Sequence, residues 1–195
     1  LVKELEKQSD RFESIVTVTA QHRQMLDQVL TIFNIKPDYD LNVMKDRQTL
    51  SQITANVLMG LEAVMLEAKP DIVLVHGDTT TTFAAAISAF YHNIKVGHVE
   101  AGLRTWNKHS PFPEEINRQV TDVISDLYFA PTMQSEGNLL KENHDKNAIF
   151  ITGNTAIDAL QHTVRENYEN EILNSIPEDH KIILMTMHRR ENQGK

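Results

Sequence analysis

Two hydrophobic periods alternate along this chain. Short runs rich in β-branched and apolar residues fall at positions 14–19, 71–76, 95–100, 127–130, 148–152 and 181–187. Their lengths suit strands, and the near-continuous apolar run at 71–76 suits a strand of a parallel sheet, buried on both faces. Between them the period lengthens. Met25, Leu26, Val29, Leu30 and Phe33 recur at helical spacing. Leu50, Ile53, Val57, Leu61, Val64 and Met65 trace one face of a longer helix, stopped by Lys69-Pro70. Further helices are predicted over 79–91 (rich in alanine, so able to pack closely), 114–125, 132–142 and from Thr155 onward. Residues 37–41 read as a connector or a short strand, and Leu1 to Leu5 as part of an amphipathic helix. This β, α, β, α order predicts an α/β fold: a Rossmann-like parallel sheet with helices on both faces.

Residues 165–180 turn polar and contain Pro177, as an interdomain linker would. Residues 181–195 then read as the first strand and loop of a second domain. Both ends of the sequence look like interior positions of a longer chain.

Composition narrows the function. The 195 residues carry 41% hydrophobic and 24% charged side chains, as a globular domain does. A net charge of −8 argues against a nucleic-acid partner, although local arginines and helix N-termini can still hold a phosphate. With no cysteine there is no disulfide, thiolate nucleophile or cysteine zinc site, which fits a reducing cytoplasm. No run approaches the roughly 20 apolar residues of a membrane span. Dinucleotide, Walker and nucleophile-elbow motifs are missing, as is histidine spacing for a zinc helix.

The polar clusters lie where strands end, the edge at which such sheets bind ligands. His76-Gly77-Asp78-Thr79 sets an acid at a helix start, where Asp78 reads equally as an N-cap. In His98-Val99-Glu100-Ala101-Gly102-Leu103-Arg104-Thr105, Gly102 permits positive φ, and Arg104 suits either a phosphate or the carboxylate of Glu100. Pro111-Phe112-Pro113-Glu114-Glu115 places two acids in a first helical turn, where the helix dipole alone would favour them. His188-Arg189-Arg190-Glu191 could meet a diphosphate or form a solvated charge run. Three acids, Asp78, Glu100 and Glu114, thus point towards one edge, an arrangement suited to proton transfer.

These clusters, together with Thr19-Ala20-Gln21-His22-Arg23-Gln24-Met25-Leu26 and Ile151-Thr152-Gly153-Asn154-Thr155, resemble the non-hydrolysing bacterial UDP-N-acetylglucosamine 2-epimerases along nearly the whole chain. The resemblance implies a GT-B architecture of two Rossmann-like domains. It implies reversible conversion of UDP-N-acetylglucosamine to UDP-N-acetylmannosamine, by loss of UDP to 2-acetamidoglucal and its re-addition, to supply cell-surface polysaccharide precursors. Asp78, Glu100, Glu114 and His188 match the family's catalytic positions. Arg104 and Arg189 are expected at the substrate. Gln21, Gln24 and Arg47 match positions that hold a second UDP-N-acetylglucosamine as activator. No cofactor or metal is implied, and a cytoplasmic homodimer without nucleic-acid or membrane partners is expected. The family's opening strand is missing, so residues 1–164 should form the first domain without its central strand, with a gap between that strand's neighbours and no turnover by this stretch alone. Rival readings are a hydrolysing 2-epimerase, a GT-B glycosyltransferase and a nucleotide-sugar-binding regulator.

Overall fold

The computed structural model describes residues 1–20, 23–43, 47–164 and 167–185. It divides into two units, Leu1–His162 and Thr163–Lys195.

The first unit opens with helix α1 (Val2–Glu6), strand β1 (Thr17–Val18), helix α2 (Arg23–Ile32) and strand β2 (Tyr39–Asp40). Helix α3 (Leu50–Ala68) follows, started by a capping box in which Thr49 and Gln52 bond each other's backbone N–H. Lys69, in the left-handed conformation, ends it one residue before Pro70. Then come β3 (Ile72–His76), α4 (Thr80–Tyr91), β4 (Lys95–Val99), α5 (Glu114–Ile124), β5 (Leu127–Ala130), α6 (Met133–Lys141), β6 (Ile149–Ile151) and α7 (Thr155–Thr163). No helix among the described residues is long and apolar enough to cross a membrane.

All strand pairs are parallel. They form two sheets, β1-β2 and β3-β4-β5-β6, with no ladder joining β1 to β3 among the described residues. Register aligns Val75, His98, Tyr128 and Ile149 in one row across the larger sheet, and all four are buried. Helices α3 and α4 cover this face with Ile53, Val57, Leu61, Met65, Ala84, Ala86 and Ala89. Leu139 of α6 extends the cover over Tyr128, Ala130 and Ile149.

The opposite face is more open. Ile72, Leu74 and Phe129 crowd over Gly97, where an added Cβ would lie 2.7 Å from Leu74 Cδ2. Leu74 remains 39% exposed, so β3 is not buried on both faces as its apolar run suggested. Among the described residues β3 is an edge strand, bonded to β4. Helix α2 likewise keeps the expected period yet leaves Met25 and Val29 exposed.

The second unit holds a short helix, α8 (Glu171–Asn174), capped by Asn170, whose side chain accepts from the N–H groups of Ile172 and Leu173. Residues 181–185 carry no strand ladder, which would require a partner strand.

Candidate active site

The turn after β3 carries Asp78. Gly77, at φ +74°, donates its N–H to Val99 O at 3.0 Å, which folds the chain back against the end of β4. Thr79, not Asp78, caps α4, accepting from Thr82 N. The Asp78 side chain is thereby left for other work. It pairs with Arg118 Nη2 at 2.9 Å, while Asn117 Nδ2 donates to Asp78 O at 2.9 Å. Both partners sit on α5, so one helix turn grips backbone and side chain of the same residue.

Glu100 follows β4. Its N–H and that of Ala101 both donate to Phe129 O, at 3.0 and 3.2 Å. Its φ of +71° is unusual for a residue with a Cβ, and such positions cost about 1 kcal/mol or more and concentrate at functional sites. Glu100 Oε1 accepts from Asn154 Nδ2 at 3.1 Å, and Oε2 lies 3.8 Å from His76 Nε2. A Cβ on Gly77 would be 3.4 Å from Glu100 Oε2, which places the two turns against each other.

Glu114 opens α5 and is partly buried. Its neighbour Glu115 has no exposed surface. Glu115 accepts from the N–H groups of Thr105 and Trp106, at 3.0 Å each, and from Gln119 Nε2 at 2.9 Å. Burial alone would raise its pKa, but these hydrogen bonds and the charge of Arg118 prevail and hold the carboxyl below the usual range. Glu115 therefore anchors the 105–106 loop.

Electrostatics join the three acids. Burial pushes the Asp78 carboxyl up and Arg118 pulls it down; Glu114 and Glu100 push it up again, and His98 opposes them. The net direction is up. Asp78 thus senses both other carboxylates, as acids gathered around one space do.

Arg104 is a correction. It was expected at a phosphate or at Glu100, but its side chain has no exposed surface. Its guanidinium donates to Asp122 Oδ2 at 2.6 Å, to both oxygens of Glu142 at 2.8 and 2.5 Å, and to Leu103 O at 2.8 Å. Its polar capacity is spent on holding α5 and α6 to the loop after β4. Gln24 and Arg47 are exposed, Gln24 on α2 and Arg47 at φ +61° in the approach to α3. Gln21, His188 and Arg189 lie outside the described residues. A separate cleft of about 560 Å³, lined by Lys3, Lys7, Phe33 and His162 among others, contains none of the three acids.

His76, Asn117, Arg118 and Asn154 border the acids but were not predicted as site residues. His76 and Asn154 stood in the quoted motifs. Arg118, four residues after Glu114 and so on the same helix face, was the available signal.

The chain is similar to known proteins of one family. The family model described as UDP-N-acetylglucosamine 2-epimerase matches residues 3–195. A UDP-N-acetylglucosamine 2-epimerase of Bacillus subtilis (strain 168) is 64% identical over 195 residues, covering 100% of this chain and 51% of the relative. The S. aureus MnaA–UDP co-structure superposes with a TM-score of 0.93 at 55% identity, over 99% of this chain and 50% of that one. The crystal structure of the Neisseria meningitidis UDP-GlcNAc 2-epimerase bound to UDP-GlcNAc gives 0.78 at 56% identity, over 82% and 43%. The chain thus spans about half the length of the curated relatives it matches. On this evidence, and with its acids placed at the sheet edge, the chain belongs to the UDP-N-acetylglucosamine 2-epimerase family.

Proposed function

We propose that the intact protein interconverts UDP-N-acetylglucosamine and UDP-N-acetylmannosamine by eliminating UDP to 2-acetamidoglucal and adding it back. What supports this reading is that Asp78 and Glu100 follow strand ends at the carboxyl edge of a parallel sheet, that Arg118 pairs with Asp78 at 2.9 Å, and that the charges of Glu114 and Glu100 both raise the Asp78 carboxyl. The hydrogen at C2 is only weakly acidic. Its removal as the C1–O bond breaks needs a base on one face, and reprotonation needs an acid on the other. Carboxylates carried on three different turns can reach both faces of one ring. The electron pair left at C2 forms the C1=C2 double bond, and UDP leaves with the C1–O pair. His188 and Arg189 are proposed to meet the departing diphosphate, as their motif suggests.

The substrate assignment draws support from the Neisseria meningitidis relative, which was crystallised with UDP-GlcNAc. Activation by a second nucleotide sugar through Gln21, Gln24 and Arg47, a homodimeric state, a cytoplasmic location and a role in making surface-polysaccharide precursors belong to the same proposal. So does inactivity of residues 1–195 alone, because diphosphate-binding parts of the second domain would be missing.

The test is turnover of UDP-N-acetylglucosamine by the full-length protein in D₂O. Deuterium should enter C2 of both sugars while free UDP stays low. Product without C2 label would overturn the elimination route. UDP accumulating in step with turnover would instead identify a hydrolysing enzyme.

A further inference from the structure

We propose that His98 is a positioning residue: a buried, doubly protonated imidazolium that clamps the Gly77 carbonyl and sets a positive charge behind Asp78. This rests on the reading of Asp78 as a catalytic acid or base, and extends it to a residue that never meets substrate.

Stereochemistry fixes the protons. His98 has no exposed surface. Its Nε2 lies 2.8 Å from Gly77 O, and a carbonyl can only accept, so Nε2 carries hydrogen. Its Nδ1 lies 2.6 Å from Asp122 Oδ1. The other Asp122 oxygen accepts from Arg104 Nη2 at 2.6 Å and from Gly102 N at 3.2 Å. Burial would raise the Asp122 carboxyl, but the hydrogen bond and charge of His98, then those of Arg104, hold it below the usual range. With Arg104 and the Gly102 N–H already donating to its other oxygen, Asp122 is the accepting partner, so Nδ1 carries hydrogen as well.

Asp122 of α5, Arg104 of the loop after β4 and Glu142 after α6 form a bonded chain with His98, and His144 Nε2 lies 3.5 Å from Glu142 Oε2. Glu142 is 24% exposed, so water and His144 share its charge, while His98, Asp122 and Arg104 have no exposed side-chain surface. Asp78 of the β3–α4 turn feels His98, and Tyr128 stands opposite it on the neighbouring strand.

The clamp acts on the turn that presents Asp78. Three successive carbonyls there each accept from a side chain: His76 O from Thr82 Oγ1 at 2.6 Å, Gly77 O from His98, and Asp78 O from Asn117 Nδ2 at 2.9 Å. With Gly77 N also bonded to Val99 O, the turn has little freedom to shift. The His98 charge also opposes the upward push of burial on Asp78.

Long-range ¹H–¹⁵N spectra of the ¹⁵N-histidine-labelled full-length protein read the protonation directly. Both His98 ring nitrogens should be of the protonated type at neutral pH. One bare, pyridine-type nitrogen would overturn the proposal. In His98→Gln, which keeps one donor and removes the charge, the ¹³C-observed titration of the Asp78 carboxyl should move to higher pH. The rate constant should fall at least roughly tenfold with KM little changed, because orientation rather than binding is lost. An unmoved Asp78 titration in a folded variant would show a merely structural histidine. Should His98→Gln not fold, Asp122→Asn decides: loss of the counter-ion should convert His98 to a neutral ring in the same spectra, and an unchanged ring would refute the charge pairing. None of the spectra needs turnover, so a protein with no epimerase activity would defeat the functional reading while leaving the imidazolium measurable.

Discussion

Arg118 Nη2 lies 2.9 Å from Asp78 Oδ2, yet this ion pair does not win. Burial, reinforced by Glu114 and Glu100, still leaves the Asp78 carboxyl above its ordinary 3.8. A folded-state value raised above the unfolded one means that the native protein holds this proton more tightly. Stability linked to Asp78 is therefore complete below about pH 4 and is lost as pH rises through the native value.

Asp78→Asn should accordingly stabilise the fold at neutral pH while abolishing chemistry. The expected result is an unchanged or higher melting temperature at pH 7.5, with the gain shrinking as the pH approaches 4. Turnover should fall roughly 100-fold to 10,000-fold, as for loss of a general acid or base. Melting curves across pH, run beside rate measurements on the full-length protein, check both halves. A variant that melts lower at pH 7.5 would contradict the burial argument.

Glu115 should behave in the opposite sense. Its carboxyl is held below its ordinary 4.5, so its stabilising contribution is present above that pH and disappears as pH falls through the native value. Glu115→Gln keeps the shape and removes the charge. It should cost on the order of 3 kcal/mol at pH 7, because Arg118 and two backbone N–H groups lose an ionised acceptor. The cost should shrink as the pH falls below 4.5, as read from urea midpoints at neutral and at acid pH.

Arg104→Met tests the buried network. Removing one partner strands the charges of Asp122 and Glu142, for an expected loss of about 3–5 kcal/mol. UDP affinity per folded molecule should be unchanged, because the guanidinium faces no solvent. Calorimetric titration of the folded variant with UDP would show it; a tenfold weakening would return Arg104 to the substrate site.

Gly102→Ala should be among the most damaging small changes in the chain. Gly102 has φ +81°, and an added Cβ would lie 2.3 Å from Ser135 O, a backbone atom that cannot swing away. We expect a loss of more than about 2 kcal/mol, seen as a lowered denaturant midpoint. Gly137→Ala, on α6 with nothing within 4 Å of the new methyl, is the matched control and should be neutral or slightly stabilising.

The sequence carried the elements and their order because period and breakers are local signals. Residues 127–130 became β5 with those same bounds, and Lys69-Pro70 ended α3. It carried the sheet edge at which Asp78 and Glu100 fall, since both follow strand ends. Partner choice was beyond its reach. Arg104 lay close to Glu100 in sequence, but chose Asp122 and Glu142, 18 and 38 residues away. Glu114 and Glu115 are indistinguishable as letters, yet about 100° apart around a helix, so one is partly buried and the other fully. Asp78 and Thr79 both suit a cap, and only the turn angle at Gly77 decided between them. How far each hydrophobic face is covered, as for Met25 and Leu74, depends on neighbours that periodicity does not name.

The left-handed backbone at Glu100 has a consequence for anyone improving heat tolerance in this family. Glycine would relax that residue, and asparagine would relieve Asp78, so selection for thermal hardiness alone would favour both replacements. Each would remove a carboxylate from the cluster. A library sorted by survival after heating should therefore accumulate sturdy, inert molecules at these two positions, and must be screened for turnover in the same round.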